Sequence, residues 1–206
     1  MFISNEEKQL GEEFIHNGYV KKEVVEISAL DKIKQDLLKI VKSYDEIKID
    51  SEVNFENIHK IIPASKLNQF RLYCINEISK KDNLRAQYYQ VFKNYTDLII
   101  GNELVMQKKL NLSVQMPKDT SSLLTIHADT WSGDSPFETV CWLPMVDCVG
   151  TMSMFILPAY NYEFFLEKYN EFKNKNSDEL LESLRDKLIW IEIKYGEALI
   201  FNQNLP

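Results

Sequence analysis

The sequence predicts an α+β fold: helices come first, then a jelly-roll sheet that the early helices cover on one face. Three observations carry this. Apolar residues recur at helical spacing to about residue 98, the period switches from 3.6 to 2 at Gly101, and a series of short extended runs follows. A chain of 206 residues suits a single domain, 1–206, with room for a proper core. Residues 1–100 read as helical support and 101–206 as the jelly-roll core. No Gly/Pro/Ser linker separates Leu98 from Leu104.

Taken in order, Ser4-Asn5-Glu6-Glu7 has the form of a capping box and opens a helix that stops near Asn17-Gly18. Tyr19–Ile27 reads as extended. Leu30, Ile33, Leu37, Ile40 and Val41 form a helical stripe over Leu30–Val41. Two further helices are expected at Ser65–Ser79 and Asn83–Leu98, with Lys80-Lys81-Asp82-Asn83 as the turn between them. Leu104, Met106, Leu110, Leu112, Val114 and Met116 then alternate with Gln107, Lys109, Asn111, Ser113 and Gln115, which predicts one long strand over Leu104–Met116. Further extended runs are Ser122–Asp129, Glu138–Val146 and Met152–Leu157. Helices are expected at about Tyr162–Phe172 and after Asn176, where Asn176 and Glu179 repeat the capping-box spacing. Leu188–Tyr195 and Glu197–Asn202 read as a hairpin across Gly196.

Composition narrows the function classes. Hydrophobic content of 45% with 27% charged residues is that of an ordinary globular protein, so neither disorder nor a fibre is indicated. A net charge of −7 argues against a nucleic-acid groove, which needs a basic face. No apolar run reaches membrane-span length, and Met1–Tyr19 is too acidic for a signal peptide. Three cysteines, Cys74, Cys141 and Cys148, cannot pair completely and lack metal spacing, which fits reduced thiols in a cytoplasmic protein.

The candidate chemistry lies at His127-Ala128-Asp129. On a strand, residues two apart share a face, so the imidazole and carboxylate converge. Together they are two thirds of the facial triad that holds non-haem Fe(II). The other reading of such a pair is a satisfied polar histidine beside a turn-forming aspartate. The loop Thr130-Trp131-Ser132-Gly133-Asp134-Ser135-Pro136 follows at once, and active sites favour loops held by rigid strands. The other histidines, His16 and His59, sit in helical, charged surroundings that suit surface or cap roles.

The stretch from His127 through Thr130-Trp131-Ser132-Gly133 to Cys141-Trp142-Leu143-Pro144-Met145-Val146-Asp147 resembles the core of Fe(II)/2-oxoglutarate-dependent oxygenases of the phytanoyl-CoA dioxygenase type. It is similar to members found in bacterial surface-carbohydrate and aminoglycoside-type sugar gene clusters, the StrG-like proteins among them. Gly101–Gln115 and Gly196–Pro206 resemble the same subgroup. The resemblance implies a double-stranded β-helix with Fe(II) in its mouth and 2-oxoglutarate as cosubstrate, hydroxylating or oxidising a sugar or sugar-containing metabolite. It assigns His127 and Asp129 as metal ligands and sets Gln107 and Asn111 beside 2-oxoglutarate, where the alternative is a solvent-facing strand. Trp131 would stack on a sugar ring as a substrate-binding residue, or act as a lid over the core. In the family a distal His directly follows the Asn-Leu-Pro seen here at 204–206, with a 2-oxoglutarate-binding Arg or Lys later. The expectation is therefore a barrel whose C-terminal part is missing and a 206-residue chain impaired as an oxygenase. Two rival readings stand beside this one: a non-catalytic jelly-roll binding protein, and a cupin-like protein using the same pair for another divalent metal.

Overall fold

A computed structural model of the chain describes residues 3–47, 52–118 and 124–206. The chain is α+β. Its elements run α1 (Asn5–Asn17), β1 (Tyr19–Glu23), α2 (Ile27–Lys42), α3 (Leu67–Ser79), α4 (Asp82–Ile99), β2 (Thr139–Trp142), β3 (Met154–Ile156), α5 (Ala159–Glu167), α6 (Tyr169–Phe172), α7 (Ser177–Leu184), β4 (Ile189–Ile191) and β5 (Glu197–Asn202). Two compact units emerge. One gathers residues 1–23, 97–100 and 124–206; the other gathers 24–96 and 101–123. The halves expected on either side of residue 100 are thus interleaved, since α1 and β1 belong with the later sheets.

The first unit carries the sheets. Ser4 caps α1 through the expected capping box, with its hydroxyl accepting from the Glu7 amide. The helix ends at Gly18, whose φ of +77° is a left-handed conformation that glycine adopts without strain. Any side chain at Gly18 would also collide with Leu205. β1 leaves this turn and pairs antiparallel with β5, which pairs antiparallel with β2 on its other edge. In that register Tyr19, Phe201, Leu199 and Trp142 share one face. They pack with Met154, Ile156, Ile189 and Ile191 of the antiparallel β3–β4 pair. Two small sheets therefore lie over one core. β5 is buried along Ala198-Leu199-Ile200, as expected of a central strand covered on both faces.

The expected hairpin across Gly196 does not form. β4 pairs with β3 and β5 with β1 and β2, so the chain changes sheet between them. Gly196 has φ +99°, and the Glu197 amide donates to the Lys194 carbonyl at 3.0 Å while the Lys194 amide donates to the Glu197 carboxylate at 2.7 Å. That tight corner turns the chain out of one sheet and into the other. A second cluster in this unit packs Ile126, Leu157, Phe165, Phe172, Leu180 and Leu184, so α5–α7 close over the segment that bears His127.

The second unit contains α2, α3, most of α4 and the segment 101–118. The three helices fall where the apolar stripes predict, with Leu30, Ile33, Phe70, Leu84 and Phe92 fully buried. The strand expected over Leu104–Met116 is absent: these residues have no ladder partner. The alternation itself is present. Leu104, Met106, Leu110, Leu112, Val114 and Met116 are half-buried, and Gln107, Lys109, Asn111, Ser113 and Gln115 are exposed. Arginine side chains take the place of a neighbouring strand. Arg85 of α4 donates to the Met106 carbonyl at 3.1 Å, and Arg71 of α3 donates to the Leu112 carbonyl at 3.2 Å. A period of two reports a two-sided environment, which an extended chain held against helices supplies as well as a sheet does.

Candidate metal centre

The expected extended run into the site begins at Ser122, and its residues to 123 lie outside the described ones. From Leu124 the chain runs without ladder pairing and bends at Ile126, and Ala128 has β-region dihedrals before a 3₁₀ turn over Asp129–Ser132. Ile126 and Ala128 are buried while His127 is exposed and Asp129 half-exposed, so the alternation of an extended chain holds even without a strand. Ile126 inserts into the α5–α7 cluster. Trp131 lays its ring on Phe165, with centroids 5.9 Å apart and planes 17° apart, and exposes the rest. Apolar anchors on both sides thus hold the two polar side chains outward.

The His127 Nε2 lies 3.5 Å from Asp129 Oδ1. On its other edge, His127 Nδ1 lies 2.6 Å from the Thr125 carbonyl. A carbonyl oxygen can only accept, so Nδ1 carries a proton and, in the neutral ring, Nε2 presents a lone pair. That lone pair and a carboxylate oxygen face one another across 3.5 Å, where a cation could be shared between them. A backbone carbonyl holding the far nitrogen is also the usual outer contact of a metal-binding histidine, because it fixes tautomer and ring orientation. The pair fits a divalent metal by donor type and convergence. Among the described residues, no three His, Cys, Asp or Glu side chains are grouped to hold a metal ion, and the pair offers two donors.

The remaining candidates fall elsewhere. Gln107 and Asn111 are exposed on the segment of the second unit. His16 ends α1 and stacks on Tyr160 at 5.1 Å, and His59 lies in a 3₁₀ turn of the second unit. Burial pushes the thiols of Cys74 and Cys141 up to about 12 and raises Cys148 as well, which makes all three poor thiolate donors. Trp142 and Met154 pack in the core, whereas Met152 is exposed.

Two residues near the site escape a reading by pattern. Gln203 is buried, and its amide donates to the Ser135 carbonyl at 2.6 Å and toward the Glu138 carboxylate at 3.4 Å. Asn204 donates to the Pro136 carbonyl at 2.9 Å. Their only signal in the sequence is a run of polar amides, Asn202-Gln203-Asn204, at the end of an otherwise apolar strand. No helix of the described residues is long and apolar enough to cross a membrane. No protein-family model, curated protein or solved structure matches the chain.

Proposed function

We propose that the protein is an Fe(II)/2-oxoglutarate-dependent oxygenase-like protein acting on a sugar or sugar-containing metabolite, with His127 and Asp129 as two of its metal ligands. The observation that carries this reading is the pair itself: Nε2 and Oδ1 converging at 3.5 Å, with Nδ1 fixed by the Thr125 carbonyl. When bound, Fe(II) with 2-oxoglutarate would activate O₂ for hydroxylation at an unactivated carbon, one oxygen atom going to the substrate and the other to succinate as 2-oxoglutarate loses CO₂. The residues of this chain bind and orient: His127 and Asp129 present donors on one side, and the exposed part of Trp131 offers an aromatic edge two residues on. Two antiparallel sheets over one core, with the chain crossing between them at Gly196, support the double-stranded β-helix that this reading calls for.

A second reading, a non-catalytic binding protein on the same scaffold, draws on the grouping of only two metal-ligating side chains among the described residues. One assay separates the two. Purified protein is incubated with Fe(II), ascorbate and 2-oxoglutarate, with and without sugar nucleotides, and succinate is measured. Iron-dependent succinate that disappears in His127→Ala supports the oxygenase. Metal binding without succinate supports the binding protein, and succinate that persists in His127→Ala removes the pair from the chemistry.

A further inference from the structure

We infer that Gln203 is a positioning residue for the His127–Asp129 pair: it anchors the loop that leaves Asp129 to the end of β5 and so fixes where the pair is presented. The inference rests on the metal-site reading above and assigns a role to a residue that touches neither ligand. Gln203 is 4% exposed, a burial that an amide side chain tolerates only when its hydrogens are bonded. Its Nε2 donates to the Ser135 carbonyl and reaches the Glu138 carboxylate. The next residue adds a second tie, from Asn204 Nδ2 to the Pro136 carbonyl, and is itself steadied by Asn202 Oδ1 accepting from the Asn204 amide at 2.9 Å. Two consecutive side chains therefore grip Ser135–Glu138.

The grip reaches Asp129 through a short, closed piece of chain. The Asp134 amide lies 3.5 Å from the Asp129 carbonyl, and the Trp131 amide donates to the Ala128 carbonyl at 2.9 Å within the 3₁₀ turn that Asp129 opens. Past Glu138 the loop enters β2, whose first residue, Thr139, is registered against Asn202. The loop is thus bounded by Asp129 at one end and by the end of β5 along the other. An exposed loop is ordinarily among the least protected parts of a fold, and a ligand on it needs support from a second layer of contacts. A residue that hydrogen-bonds a metal ligand directly typically carries about 10- to 100-fold in metal affinity, and a tie one step further out is expected at the low end of that range.

The test uses the full chain and Gln203→Met, which keeps the volume and removes the donor, with Asn204→Ala as a milder variant should Gln203→Met fold poorly. Hydrogen–deuterium exchange is followed over residues 129–138 in metal-free protein, and Co(II) uptake is followed by its visible absorption. The expected result is faster exchange over 129–138 with α5 and α7 unchanged, and Co(II) binding weakened about tenfold or more in Gln203→Met. Unchanged exchange in both variants overturns the anchoring. Faster exchange with unaltered Co(II) affinity overturns the positioning role while the metal site stands. Failure of the unsubstituted protein to take up Co(II) removes the metal-site reading, and the positioning role falls with it.

Discussion

At the residue scale, the Thr125 carbonyl beside Nδ1 decides which nitrogen of His127 faces Asp129 with its lone pair. The i, i+2 spacing of His127 and Asp129 is legible in the sequence, because extended backbone alternates whether or not it is paired. The Thr125 carbonyl that decides the tautomer is not legible, since a backbone oxygen has no letter of its own. Asp129→Asn should therefore be more informative than Asp129→Ala: it keeps the shape and removes the charge that makes the pair a cation site. We expect it to abolish detectable Fe(II) uptake in an anaerobic titration while leaving thermal unfolding nearly unchanged, given that both side chains are substantially exposed. The thiols give a second prediction at this scale. Burial raises Cys74 and Cys141 from 9.0 to about 12, so the folded protein holds these protons more tightly than the unfolded chain. The stability they contribute is whole below pH 9 and is lost as pH rises toward 12. Urea midpoints should fall across that window, and Cys141→Ala should flatten the fall.

At the scale of elements, the helices were the most legible feature, because a stripe at 3.6 spacing has few alternative meanings once it buries a core. Leu30, Ile33, Leu37 and Ile40 of α2 show this, all of them buried. The strands were legible in place and not in pairing. β4 and β5 lie where alternation puts them, yet they join different sheets, because a turn at Gly196 is compatible with both a hairpin and a corner. Leu104–Met116 failed for the complementary reason: its pattern is real, but it lies in no β-ladder, and its Met106 and Leu112 carbonyls accept from arginines. Arg71→Ala should accordingly destabilise this segment by about 1.5–3 kcal/mol, the usual worth of a hydrogen bond from a charged donor, and raise amide exchange around Leu112. The turn at Gly18 makes a stronger prediction. Gly18→Ala puts a β-carbon into Leu205 on a backbone of φ +77°, and should cost at least about 1–2 kcal/mol in urea unfolding from backbone strain alone.

At the scale of the whole molecule, the sequence suggests a helical half followed by a sheet half, whereas contacts in the first unit join residues far apart in the chain. β1 pairs with β5 over five residues, from Tyr19↔Phe201 to Glu23↔Glu197. No local pattern encodes that pairing, since it depends on which edge of β5 is left open after β2 docks. A fragment of residues 101–206 should therefore lack a cooperative unfolding transition, because removing α1 and β1 bares the edge of β5 and takes the buried Val20 out of the core. Restoring residues 1–23 as a separate peptide should recover near-ultraviolet circular dichroism, and a fragment that folds unaided would show that β1 is dispensable.

The central claim, that His127 and Asp129 together bind a divalent metal, is tested most directly by titrating the full chain with Mn(II) and following the free ion by electron paramagnetic resonance, alongside His127→Ala and Asp129→Asn. One site per chain is expected, with affinity reduced more than about 100-fold in each variant, beyond the 10- to 100-fold that loss of an outer contact produces. Equal binding by the unsubstituted protein and both variants would contradict it, as would the absence of any site in the unsubstituted protein.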